Sequence, residues 1–228
     1  LHRVESVARH ARCWAIGIAV AVILFGAGYS FVLGDRLRFL PDEQDYMLLS
    51  RNFIAGHGFS LTGDLPTAFR PPGYPVFLAL PAFLDAGILP ARLANFLALS
   101  ASIVTVFLIA RHLAGAVAGL CAAFLTAAYP LFFFTAGAIY PQTLGGLLLL
   151  ASVYWLYVRA PRMRHAAVSG VLAGWLVLTV PSFVISLPLL AIGAWLRKRQ
   201  LQVALVFTVT ASLVIGAWTA RNLLVFEK

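Results

Sequence analysis

The stretch CWAIGIAVAVILFGAGYSFVL, residues 13–33, holds twenty-one residues and not one charge. As a helix it reaches about 31 Å, enough to cross the hydrocarbon of a bilayer. It is apolar on every face, without the alternation that a strand of an outer-membrane barrel requires. The whole chain has the same character. Hydrophobic residues make up 61% and charged residues 11%, with a mean hydropathy of +0.91. A soluble domain holds about 45–50% and about 25%. The expected fold class is an all-α polytopic membrane protein with about seven transmembrane helices and one long outer loop carrying short interfacial helices.

Outward from that run, residues 1–12 carry Arg3, Arg9 and Arg12 and read as a short cytoplasmic helix at the membrane surface. No cleavable signal is visible, so residues 13–33 are expected to stay as an anchor. Residues 34–90 form the outer loop. Within it, 46–55 is amphipathic and ends at Gly56 and Gly58, and Arg70-Pro71-Pro72-Gly73-Tyr74-Pro75 turns the chain back to the membrane. Residues 75–89 are apolar but contain Pro81 and Asp85, and are too short to span; they read as a re-entrant or interfacial helix.

Residues 91–220 hold six further spans: 93–110, 116–136, 143–158, the two halves of 166–196 split at Pro181, and 201–218. Residues 221–228 are the outer C-terminus. Splitting the long run at Pro181 places Arg197-Lys198-Arg199 on the same side as the other basic connectors. With the N-terminus inside, ten of the seventeen basic residues then lie at the cytoplasmic edge, opposed only by Glu5. The net charge of +9 is therefore positive-inside bias rather than a nucleic-acid surface, and anionic lipid headgroups are its expected partners. Cys13 and Cys121 stand far apart and fit neither a disulfide nor a metal pattern. No span carries a central ionisable residue, which argues against a transporter.

Chemistry concentrates in Pro41-Asp42-Glu43-Gln44-Asp45-Tyr46, where three of the chain's eight acidic residues fall within four positions. Asp42 after Pro41 also fits a helix start, with Glu43 and Asp45 favoured in its first turn by the helix dipole. His57 with Asp45 or Asp64 is the combination a divalent metal would use, although a lone loop histidine is usually solvated; no tightly bound cofactor is expected. Asp85 in its apolar stretch needs a partner, and Arg92 is the nearest cation, a structural pair. The Phe132-Phe133-Phe134 run faces lipid or packs on a neighbour.

The outer acidic pair after the first span, followed by an Arg-Pro-Pro-Gly-Tyr-Pro re-entry, resembles the GT-C superfamily of polyprenyl-linked glycosyltransferases. It is most similar to the protein O-mannosyltransferase and aminoarabinose-transferase branch. The Asp-Glu pair and tyrosine of that branch are matched by Asp42, Glu43 and Tyr46, its Ala-Arg-Leu-x-Asn by Ala91, Arg92, Leu93 and Asn95, and its Trp-x-x-Arg-Asn by Trp218, Arg221 and Asn222. The sequence departs from the branch at Gln142, where glutamate is usual, and at Val180, where a basic residue is usual.

The resemblance implies a membrane glycosyltransferase at the outer face of the cytoplasmic membrane, with a polyprenyl-phosphate sugar as donor. Asp42 would be the general base, and Glu43 would position the acceptor or tune Asp42. Arg70, then Arg51 and Arg221, would meet the phosphate, with Tyr46 and Gln142 in the substrate site. A carboxylate at a membrane interface suits the base role because partial desolvation raises its affinity for a proton. Because the match covers only the front half of such enzymes, a second reading stands beside the first. In it the chain is a shortened, catalytically silent subunit of a larger membrane complex, or one whose partner subunits supply the other half.

Overall fold

A computed structural model describes residues 2–37, 42–84, 87–198 and 200–226, and among these the chain is helical, with one isolated antiparallel bridge between Ser60 and Pro66. The helices are α1 (His2–Leu33), α2 (Asp42–Ile54), α3 (Gly73–Ala82), α4 (Leu89–Ala128), α5 (Pro130–Gly137), α6 (Gln142–Val153), α7 (Met163–Thr179), α8 (Ser186–Lys198) and α9 (Leu201–Phe226). A π-helical turn, Tyr154–Val158, closes α6, and a 3₁₀ turn, Pro181–Ile185, opens α8. Among the described residues three helices are long and apolar enough to cross a membrane: His10–Leu33, Leu89–Ala128 and Leu201–Phe226. A fourth span results if Pro130–Gly137 and Gln142–Val158, bent by 117°, count as one. Met163–Thr179 and Pro181–Leu196 are shorter apolar helices.

Several elements differ from the sequence expectation. The basic N-terminal segment is no separate surface helix: α1 runs unbroken from His2 into the first apolar run, because nothing between them breaks a helix. The expected span 116–136 is interrupted at Tyr129, whose extended backbone precedes Pro130, so α5 starts afresh. The run 166–196 does split, at Val180 before Pro181, as proline demands.

The 40 residues of α4 are two arms rather than one rod. Gly115 has φ 88° and ψ 179°, a conformation that needs glycine. A Cβ added to Gly119 would lie 2.9 Å from the Phe107 ring. Along a continuous helix those two residues would stand about 18 Å apart. The chain therefore reverses at Gly115, one residue outside the sequence's expected pair of spans. Ala11, Ala15, Ala19 and Val22 of α1 pack against Phe96, Leu99, Ile103 and Phe107 of the first arm, and Ala123 of the second arm closes the same core. Small residues also seat α7 on α9. Gly170 and Gly174 lie against the carbonyls of Phe207 and Ala211, so close that a Cβ on either would clash.

These contacts give the bundle two distinct ends. At one, Leu156, Ala166, Ala194 and Val203 pack together, so the end of α6, the start of α7, the end of α8 and the start of α9 coincide. At the other, the end of α5 and the two residues after it, 137–139, lie inside protein, where backbone groups that leave the helix must be satisfied by side chains. Arg92 donates from Nε to the Gly137 carbonyl at 3.0 Å, and its two terminal nitrogens reach the carbonyls of Gly34 and Arg36. Asn95 Nδ2 donates to the Ala138 carbonyl at 2.7 Å and meets the Tyr74 hydroxyl at 2.9 Å. The Ile139 N–H donates to Glu43 Oε1 at 2.9 Å. Arg92, Asn95, Tyr74 and Glu43 are all fully buried. Asp85, the partner expected for Arg92, lies outside the described residues.

Replacing Arg92 by Met keeps its bulk and removes the donors to three carbonyls. Unfolding of the detergent-solubilised protein by SDS titration should then show a loss of about 3 kcal/mol or more; a loss under about 1 kcal/mol would mean that those carbonyls find other partners.

Candidate functional site

The acidic stretch folds as α2 because its carboxylates occupy the first turn of the helix, where the dipole favours them. Asp42 and Asp45 are three residues apart and share one face. Both meet Arg70, carried by the proline-rich turn. Arg70 Nη2 lies 2.6 Å from Asp42 Oδ1 and 2.8 Å from Asp45 Oδ2, and Nε donates to the same Asp45 oxygen at 3.0 Å. The three side chains retain 20–25% of their surface, so the triad is partly open.

Aromatic rings frame it. The Arg70 guanidinium carbon sits 4.6 Å from the Phe69 ring centroid and 5.8 Å from that of Tyr46, and Tyr46 meets Tyr74 edge-on at 5.0 Å. Burial acts against the Arg70 charge, but the hydrogen bond to Asp45 and the charge of Asp42 outweigh it and hold its pKa above the ordinary value. Burial first, and then the negative charge of Asp42, push the Tyr46 phenol up to about 12.

The turn itself is fixed from behind. Trp175 Nε1 donates to the Gly73 carbonyl at 2.9 Å. A Cβ on Gly73 would come within 2.7 Å of the Leu178 backbone, so only glycine allows α3 to begin against the end of α7. Arg70 thus stands three residues from a point held against α7.

The other expected site residues fall in different places. Glu43 is fully buried and bonds the Ile139 amide, so it offers no surface to an acceptor and acts as an anchor for α2. Arg51 lies on the opposite face of α2, exposed, where it lines a shallow cleft with Gln44, Leu48 and Ile88. Arg221 stacks on Trp218 at 4.9 Å and donates to the Thr67 carbonyl at 3.0 Å, while Trp218 meets Phe59 at 4.9 Å. It therefore pins the 59–67 segment to α9.

Gln142 is exposed and lines an apolar cleft of about 220 Å³ with Leu99, Phe132 and Leu150. Phe133 of the aromatic run packs on Tyr29 and Phe96. His57 and Asp64 are exposed in the loop, and Asp45 is engaged by Arg70. Among the described residues no three His, Cys, Asp or Glu side chains are grouped as a metal site; Cys13 and Cys121 are free thiols.

The sequence reading paired Arg70 with neither Asp42 nor Asp45, and set Arg92 against Asp85 rather than in a clamp with Asn95. The spacing of Asp42 and Asp45 carried the first signal. Two polar residues one turn apart in an apolar helix carried the second. No family model, no curated protein and no solved structure matches the chain.

Tyr46 titrates later in the folded chain than in the unfolded one. The stability it contributes is therefore whole below about pH 10 and lost as the pH rises toward about 12. Alkaline unfolding followed by circular dichroism should be shallower across that window in Tyr46→Phe than in the parent; identical curves would show that the phenol is not held in this way.

Proposed function

We propose that the chain is a GT-C-like membrane glycosyltransferase that moves a sugar from a polyprenyl-phosphate carrier to an acceptor hydroxyl. In this reading it has seven spans in the cytoplasmic membrane, an N-terminus inside, and α2 with the Arg70 turn on the outer, periplasmic side. The observation that carries the reading is the partly open Asp42–Arg70–Asp45 triad, set on a buried frame at the end of the bundle where the acids gather.

Asp42 takes the acceptor proton as the acceptor oxygen bonds to the anomeric carbon. The bond from that carbon to the phosphate oxygen breaks, and polyprenyl phosphate departs with the electron pair, facing Arg70. Asp45 engages Arg70 through both Nε and Nη2, whereas Asp42 touches only Nη2. Asp42 can therefore release the guanidinium while Asp45 keeps it in place. That division supports Asp42 as base and Asp45 as the residue that orients Arg70.

The second reading, a catalytically silent subunit of a membrane complex, draws on the same triad. Two carboxylates already neutralise Arg70, so the cluster also serves as a plain structural lock.

Asp42→Asn separates the two. A hydrogen-bonding side chain of the same shape remains, so insertion and helix content should be unchanged while transfer falls by about 10²-fold or more. Transfer is followed as release of polyprenyl phosphate from a synthetic donor in proteoliposomes. Parent-level transfer by the variant would remove Asp42 from the base role. A folded parent protein without transfer, supplied with any partners that co-purify, would favour the structural lock.

A further inference from the structure

At the end of the bundle opposite the triad, a cleft of about 170 Å³ opens between the close of α6, the end of α8 and the start of α9. Its floor is apolar, from Leu156, Ala194 and Val203; its rim is polar, from His112, Arg159 and Gln200. The π-helical turn Tyr154–Val158 makes the opening. It widens the last turn of α6 so that the Arg159 N–H still bonds the Tyr154 carbonyl at 3.1 Å while the chain leaves the helix in an extended conformation. Three contacts hold the walls. Tyr157 donates to the Leu190 carbonyl at 2.7 Å, His165 Nδ1 lies 2.7 Å from the Ala160 carbonyl, and the Arg159 guanidinium rests 5.4 Å from the Trp155 ring centroid.

The charge around this cleft is unbalanced. No Asp or Glu lies between Asp85 and Glu227, while Arg111, Arg159, Arg162, Arg164 and the 197–199 run all fall in that interval. Both ion pairs among the described residues belong to Arg70, at the far end. Glu5 is the one acid that the sequence places on this side, against ten basic residues. This excess of positive charge favours an anionic partner at that end. The cleft lies beside the start of α9, a helix long and apolar enough to cross a membrane, and at the close of the apolar helices α6 and α8; lipid phosphates gather at such helix ends. An anionic rim partner joined to an apolar floor partner describes one kind of molecule.

We propose that this cleft is a binding site for an anionic phospholipid, with the phosphodiester at Arg159 and His112 and the glycerol and first methylenes over Leu156, Ala194 and Val203. The site is independent of any transfer reaction. Its role is to neutralise the basic end and tie α6, α8 and α9 together at the membrane surface.

The test is native mass spectrometry of the full chain in neutral detergent, titrated with phosphatidylglycerol and, separately, with phosphatidylcholine. One phosphatidylglycerol should be retained at low molar ratio, and phosphatidylcholine should not. Arg159→Gln should weaken that first binding by more than about tenfold, as expected for loss of a charge-assisted hydrogen bond. Arg164→Gln, an exposed arginine at the same end that does not line the cleft, should weaken it no more than about fivefold, the effect of one charge near an anionic surface. Arg159→Lys should recover part of the affinity and guards against a folding defect. Equal losses in Arg159→Gln and Arg164→Gln would overturn the proposal in favour of diffuse attraction. Equal retention of both lipids would overturn it as well, and so would displacement of phosphatidylglycerol by millimolar inorganic phosphate, which would make this a free-anion site.

Discussion

Arg92 is buried where the ends of α1, α4 and α5 meet, and its guanidinium satisfies backbone carbonyls from two separate stretches of chain. A planar group with five donors is the one side chain that can do this from a single position. The cost of burying its charge is offset only because the carbonyls around it would otherwise be buried without partners. Asn95, one turn further along the same helix, treats the Ala138 carbonyl in the same way, and Glu43 completes the set at Ile139. The last residue of α5 and the two that follow it are thus held by three buried polar side chains. The position of α2, and with it of Asp42 and Asp45, follows from the Glu43 bond.

This arrangement explains why neighbouring acids in one short helix have different fates. Glu43 points inward and is consumed by the frame, while Asp42 and Asp45 share the face that meets Arg70. A shift of one residue in the start of α2 would break up the pair that meets Arg70, because Asp42 and Asp45 are the only acids three positions apart in this stretch. The frame therefore fixes which carboxylate is open to a ligand, and the rigid mounting of Arg70 through Gly73 and Trp175 fixes what stands beside it.

Much of the helical framework was legible in the sequence, because the signals were local. Pro181 in the middle of an overlong apolar run divides α7 from α8, and the break near Arg111 and His112 falls beside Gly115, where α4 turns back. Local signals also placed α2 and α3. They failed where tertiary contacts decide. Nothing near Arg92 in sequence announces Gly137, 45 residues away, and nothing near Arg70 distinguishes an ion triad from a waiting phosphate site. Arg221 and Arg51 were grouped with Arg70 by residue type, yet one pins a loop to α9 and the other stands on the far face of α2. The apolar cleft beside Gln142 borders the break at Tyr129, which Pro130 signals locally just as Pro181 signals the split after α7; the expected span 116–136 ran through it.

In the proposed function, the acid-bearing end of the bundle is where a lipid-linked sugar would be handled, with charge at the mouth and a buried polar frame behind it. The most direct check is mass-spectrometric analysis of lipids extracted from protein purified gently out of its own membrane. The expected result is a polyprenyl phosphate, with or without its sugar, enriched over the bulk membrane and depleted when Arg70 is replaced by Gln. Polyprenyl species at bulk abundance in both proteins would contradict it, and would leave the triad a structural lock.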